Sequence, residues 1–284
     1  LAENSANPGS LRWKEAGPPP VNDDQGVSLL KIQHPTDAPR PIFSVEVGNK
    51  FEQFIRDRQA AVKLVQEGLT PPSTLLLTGK PGTGKTMLAQ WMARQLELPL
   101  VVQDLATSIS SYLGKTGFNL RRMLDYARNR PTVLLLDEFD SIAKRRDDNT
   151  EVGELKRIVN VLLKELEDWP LNSVLIAATN HPELLDPAIG RRFHEHLHLP
   201  LPSVDEREEI LRRAAGHFAE SITPKLLRSI ASVLDGWSGS HLTTVIKSAI
   251  RRHVVDNCDI NQAVIREIVE RSNFNGDHID LGDL

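Results

Sequence analysis

The chain has 284 residues, enough for two domains, and its 40% apolar and 25% charged content is that of a globular protein with substantial cores. A net charge of −4 supplies no basic field for nucleic acid or an anionic membrane, and no stretch approaches the ~20 apolar residues that span a bilayer. One cysteine, Cys258, excludes an internal disulfide framework and fits a reducing compartment, where it reads as a small core residue.

Residues 1–42 are rich in Pro, Asn, Asp and Gly, including Pro18-Pro19-Pro20, and read as a flexible N-terminal arm or linker. Inside it, the apolar patch Val27 to Ile32 can pair as an edge strand or dock on a neighbour. From Val45 to Gly68, Phe51, Phe54, Ile55, Ala61 and Leu64 recur at helical spacing, and Gly68 with Pro71-Pro72 stops the helix. Thr74 to Thr78 is an apolar strand that runs into a glycine loop, and Met87 to Leu96 has good helix composition. A second strand reads over Leu98 to Leu105. The following helix, Gly117 to Arg128, carries Phe118, Leu120, Met123, Leu124 and Ala127 on one face. A third strand covers Thr132 to Leu136. Next comes a long helix, Glu151 to Glu167, with Leu155, Ile158, Val159, Leu162, Leu163 and Leu166 inward. Ser173 to Ala178 and Glu195 to Leu201 complete the strands. Strands alternating with helices indicate a parallel sheet covered on both faces. After Pro202 only helices follow. Ser203 and Glu206 form a capping box for a helix to about Phe218, and Thr223-Pro224 is an N-cap followed by a proline at the first helical position. Ser240 to Val255 and Asn261 to Ser272 complete a small bundle before an acidic tail, 274–284.

The loop Gly79-Lys80-Pro81-Gly82-Thr83-Gly84-Lys85-Thr86 fits G-x-x-x-x-G-K-[ST] at every fixed position, with the strand before it and the helix after it that the motif requires. Its glycines let backbone N–H groups approach phosphate oxygens, and the following helix turns its positive end to the same anion. Lys85 then reaches the β- and γ-phosphates and the Thr86 hydroxyl ligates Mg²⁺. The nucleotide-contacting run extends to Met87. Leu134-Leu-Leu-Asp137-Glu138-Phe139-Asp140 ends a strand in two consecutive carboxylates. Asp137 suits Mg²⁺, and Glu138 suits polarisation of the attacking water. Ala177-Ala178-Thr179-Asn180 ends the next strand in an amide that can hydrogen-bond the γ-phosphate and the lytic water. All three motifs fall at carboxyl ends of strands, where such sheets bind ligands.

With Ile176-Ala-Ala-Thr-Asn180, Leu185-Asp-Pro-Ala188, Arg191-Arg192-Phe193 and Trp237-Ser-Gly-Ser240 added, residues 45–272 resemble an AAA+ ATPase, closest to the AAA clade of protein-remodelling machines. The resemblance implies a three-layer αβα core with a five-stranded parallel sheet over 43–202 and a small all-α lid over 203–273. It implies that Asn180 is the sensor-1 residue and that Arg191 and Arg192 occupy the positions of arginine fingers, which act on the ATP of the adjacent subunit. The family separates its two arginines by Pro-Gly; here they are adjacent, so the pair alone does not say which is the finger. Val47 and Gly48 are implied to contact the adenine side, as are Gly239 and Ser240 from the lid. Tyr112-Leu113-Gly114 resembles the aromatic–hydrophobic–glycine pore loop with which a ring of subunits grips a polypeptide. Lys144-Arg-Arg-Asp-Asp148 reads either as a second pore loop or as a solvated charge run.

His194-Glu-His-Leu-His198 satisfies H-E-x-x-H, but zinc binding by that motif needs a helix, and Pro200 and Pro202 leave no room for one. The leading expectation is therefore a cytoplasmic ATP- and Mg²⁺-dependent motor, a homo-hexamer that remodels or threads a protein. A nucleic-acid-associated switch or loader and an ATP-dependent assembly scaffold are the alternatives.

Overall fold

The computed structural model describes residues 20, 30–105, 116–141, 162 and 164–275. They form two compact units, the first within Leu1–Pro41, Val47–Gly79 and Lys85–His198, the second within Ile42–Glu46, Lys80–Gly84 and Leu199–Leu284. The second unit thus starts a few residues before Ser203 and draws in Lys80–Gly84 and Ile42–Glu46, which the sequence assigned to the larger domain except for Ile42, the last residue of the arm.

The first unit holds strands β1 (Lys31–Gln33), β2 (Thr74–Thr78), β3 (Leu100–Asp104), β4 (Val133–Asp137), β5 (Val174–Thr179) and β6 (Glu195–His198) in one sheet, ordered β1-β3-β4-β5-β2-β6. The five strands read from the sequence are mutually parallel. The sheet has a sixth member: β1 pairs antiparallel to β3, with Lys31 opposite Val102, so Lys31–Gln33, at the end of the segment read as an arm, is an edge strand. Central strands buried on both faces need unbroken apolar runs. Leu75 to Leu77 in β2, Leu134 to Leu136 in β4 and Val174 to Ala178 in β5 supply them, all buried.

Helices of this unit include α1 (Val45–Gln59), α2 (Ala61–Gln66), α3 (Lys85–Gln95), α4 (Thr116–Arg128) and the short α5 (Pro187–Gly190). In α4, Leu120, Met123, Leu124 and Ala127 face the core, but Phe118 does not; it is 60% exposed. Its ring lies under the Arg122 guanidinium, 5.6 Å from the carbon to the ring centroid, and Tyr126 takes the buried place instead. Residue 118 leads 120 by two positions, a step of about 200° round a helix, so the two cannot share a face. Of the long helix expected at 151–167, Leu162 and Leu166 are core residues; the rest of its predicted inward face lies outside the described residues.

The second unit contains α6 (Val204–Ala215), α7 (Pro224–Val233), α8 (Gly239–Asp256) and α9 (Ile260–Asn275) around Leu211, Ile230, Leu242, Ile246, Val264 and Ile268. The capping box is present: the Ser203 N–H donates to Glu206 Oε2 at 2.7 Å, and the Glu206 N–H to Ser203 Oγ at 3.4 Å. α6 ends at Ala215, and a 3₁₀ turn covers Gly216–Ser221. Thr223 does not cap α7 with its side chain; its hydroxyl donates to Asn261 Oδ1 at 3.0 Å and ties α7 to α9.

Candidate active site

In the first unit the carboxyl ends of β2, β4 and β5 bring four predicted residues together. Lys85, at the start of α3, is buried, and its ammonium donates to the Gly79 carbonyl and to Asn180 Oδ1, each at 2.7 Å. Desolvation lowers the Lys85 pKa, opposed by the negative charges of Asp137 and Asp140. The Thr86 hydroxyl donates to Asp137 Oδ2 at 3.0 Å. This hydroxyl–carboxylate pair is a small set of hard oxygen donors. It fits Mg²⁺, which keeps several waters and takes one or two protein ligands beside phosphate oxygens.

Glu138 follows with a left-handed backbone, φ 51°. Its N–H donates to Asp137 Oδ1 at 3.0 Å and its carbonyl accepts from the Ser141 N–H at 2.9 Å, so the turn is held on both sides.

The second unit holds Lys80 to Gly84, where Gly82 (φ 78°) and Gly84 (φ 100°) adopt conformations that L side chains rarely reach. A Cβ on Gly82 would lie 2.0 Å from Ser240 Oγ and 2.6 Å from Ser238 Oγ. The Ser240 N–H donates to the Gly82 carbonyl at 3.2 Å, so Ser240 braces the loop. Thr83 closes the turn on the Lys80 carbonyl through its hydroxyl, 2.9 Å. A cleft in this unit is walled by Ile42, Leu199, Pro200, Pro202 and Ile210, with Ser44, Thr83 and Glu206 as polar points and Gly239 at its rim. Val47 and Gly48, at the start of α1, are both buried. Met87 is 42% exposed.

Arg191 and Arg192 follow α5, whose N-cap Asp186 accepts from the Ala188 N–H at 2.8 Å. They differ in surroundings. Arg192 is half-buried and ion-pairs with Glu167, whereas Arg191 is exposed and makes no ion pair among the described residues. The His196 Nε2–H donates to the Gly190 carbonyl at 2.8 Å, and its ring meets Phe193 edge-on.

The histidines of H-E-x-x-H stand on or beside a strand, where His194 and His198 are separated by about 13 Å of extended chain. Each is engaged by a threonine of β2: His194 Nδ1 with Thr74 Oγ1 at 2.8 Å and His198 Nδ1 with Thr78 Oγ1 at 3.0 Å. The Ser73 N–H also points at His194 Nδ1, at 3.4 Å, and the Thr74 hydroxyl oxygen accepts from the His194 N–H at 2.9 Å. That ring nitrogen is therefore an acceptor, and desolvation lowers the His194 pKa, with Arg58 adding to the effect and Glu195 opposing it. A lowered folded-state pKa means that the unfolded chain binds the proton first. The stability contributed is full above the ordinary value of 6.5 and is lost as pH falls below it towards the folded value. Thermal melts are expected to drop between about pH 7.5 and 5.5. His194→Gln, whose amide oxygen can still accept from Thr74, should flatten that slope; an unchanged slope refutes the assignment.

Tyr112, Leu113 and Gly114, and the charged run at 144–148, lie outside the described residues. Among the described residues no helix is long and apolar enough to cross a membrane.

The profile of the family described as "ATPase family associated with various cellular activities (AAA)" matches residues 75–201. The AAA family ATPase y4kL of Sinorhizobium fredii is 37% identical over 77% of this chain and 67% of its own length. The proteasome-activating nucleotidase of Methanocella arvoryzae is 34% identical over 89% of this chain and 64% of its own length. The chain thus spans about two thirds of these relatives. The crystal structure of the FIGL-1 AAA domain superposes with a TM-score of 0.70 at 20% identity, covering 90% of this chain and 88% of that one, which supports the fold. The chain therefore belongs to the AAA+ family, as an ATPase of the AAA clade of protein-remodelling enzymes.

Proposed function

We propose that the chain is the motor of a ring-forming, cytoplasmic machine, a homo-hexamer that hydrolyses ATP to remodel or thread a polypeptide. The hydrolytic half of this reading is carried by one observation: Lys85 bridges the Gly79 carbonyl and the Asn180 amide, while Thr86 and Asp137 present paired oxygens. Bound ATP–Mg²⁺ supplies the transferable γ-phosphoryl group and the cation that neutralises its oxygens. Thr86 and Asp137 would hold the metal, Lys85 would neutralise phosphate charge, Glu138 would take a proton from the attacking water as it bonds to the γ-phosphorus and ADP leaves, and Asn180 would orient that water. Phosphate would replace the Gly79 and Asn180 oxygens as the partner of the Lys85 ammonium.

The polypeptide half is supported by similarity to a proteasome-activating nucleotidase and by the sequence Tyr112-Leu113-Gly114. ATPase stimulation separates the substrate classes. Unfolded polypeptide is expected to raise turnover several-fold and duplex DNA to leave it unchanged, and Tyr112→Ala should remove the stimulation but keep the basal rate. Stimulation by DNA alone would replace the polypeptide reading with a nucleic-acid one.

A further inference from the structure

We infer that Asp140 is a positioning residue of the hydrolytic site: its carboxylate locks the carboxyl end of β5 so that the Asn180 amide is held in place beside the Lys85 ammonium, ready for nucleotide. Asp140 is 3% exposed, and a charge so buried is costly unless hydrogen-bonded. Its bonds run to the segment that carries Asn180. Asp140 Oδ1 accepts from the Thr179 hydroxyl at 2.9 Å and from the Asn180 N–H at 3.3 Å. Thr179, itself fully buried, uses the same hydroxyl oxygen to accept the His181 N–H at 3.0 Å. Three consecutive residues are therefore fixed through one carboxylate oxygen. One residue earlier, the Phe139 N–H donates to the Ala178 carbonyl at 2.9 Å, which brings the chain after β4 alongside β5. From there Asn180 Oδ1 meets the Lys85 ammonium at 2.7 Å. The bonds of Asp140 reach from the chain after β4 to the functional end of the neighbouring strand.

This inference rests on the assignment of Asn180 above, and the test separates the two. Asp140→Ala is expected to lower kcat at least about tenfold while ATP affinity, read by equilibrium binding, stays within about threefold. Asp140→Asn keeps an acceptor oxygen for Thr179 and Asn180 and should retain kcat within about threefold of wild type. In nucleotide-free protein, hydrogen exchange at the amides of residues 180 and 181 should speed up in Asp140→Ala and not in Asp140→Asn. In the Asn180→Ala background, Asp140→Ala should cost nothing further, because its effect passes through Asn180. Wild-type turnover in Asp140→Ala, equal damage from Asn and Ala, or additive losses in the double variant would each overturn the proposal. If Asp140→Ala does not fold, Thr179→Val removes the hydroxyl link without changing shape and must show the same slow turnover and fast exchange. Should Asn180→Ala itself turn over normally, the sensor assignment fails, and the exchange measurement on nucleotide-free protein still decides whether Asp140 locks the strand end.

Discussion

Glu138→Gln should stop ATP hydrolysis while leaving ATP binding intact, with turnover down by about 10²–10⁴-fold, the usual range for losing a positioned general base. The structure sets up this separation. Among the groups that would hold nucleotide and metal, Lys85 bonds to Gly79 and Asn180, Thr86 to Asp137, and Asp137 also to the Glu138 backbone N–H, which glutamine keeps. Glutamine also keeps the left-handed backbone at φ 51° and its bonds to Asp137 and Ser141, so folding should be unaffected. Glu138→Gly gives a second reading of the same turn. A left-handed conformation costs a non-glycine residue roughly 1–2 kcal/mol, so this variant should be equally inactive yet melt no lower than wild type. Steady-state turnover, binding of a fluorescent ATP analogue and a thermal melt check all three statements. Turnover within tenfold of wild type in Glu138→Gln would remove Glu138 from the base role.

The sequence was most legible where function is carried by a contiguous segment. The glycine loop, the Asp137-Glu138 pair and the Thr179-Asn180 strand end each announce their chemistry by residue type and by the apolar strand ahead of them. Parallel strands buried on both faces leave runs such as Leu134 to Leu136 that admit few other interpretations. Less legible were features assembled from separated segments. The cleft draws Ile42, Phe43 and Ser44 beside Leu199, Pro200 and Ile210, and no local pattern in residues 42–44 marks them. Asp140 stands two residues after Glu138 and reads as one more acidic residue of a helix start; only the register of β5 shows where its oxygen points. The strand at Lys31–Gln33 is three residues long, too short for an alternation to register, and exists because β3 offers an open edge. Phe118 was misplaced for the opposite reason. Apolar character suggested burial, while its angular position on α4 turned it to solvent, where an arginine covers it. The adjacent Arg191 and Arg192 are equivalent by residue type, and only their neighbours distinguish them.

That distinction yields the other large effect. Arg192 is tied within its own chain to Glu167, so its guanidinium has a local task, whereas Arg191 is exposed and makes no ion pair among the described residues. Arg191 is therefore expected to be the finger for a neighbouring subunit's ATP if the proposed ring forms. Arg191→Ala is expected to cut turnover by about 10³-fold or more with ATP binding retained, the scale on which arginine fingers act. Arg192→Ala should instead lower the melting temperature, an effect that Glu167→Gln should reproduce because both break one pair; being partly exposed, that pair contributes at most about 1 kcal/mol. Equal loss of turnover in the two arginine variants would refute this division of labour. Whether Arg191 acts across an interface is decided by mixing two inactive proteins, Arg191→Ala and Glu138→Gln. Where an Arg191→Ala subunit offers its intact Glu138 to the intact Arg191 of a Glu138→Gln neighbour, the site is whole again. A random mixture in a closed ring of head-to-tail interfaces should recover about a quarter of the wild-type rate. A mixture as inactive as its components would mean that Arg191 serves its own chain's nucleotide, and the requirement for assembly would go with it.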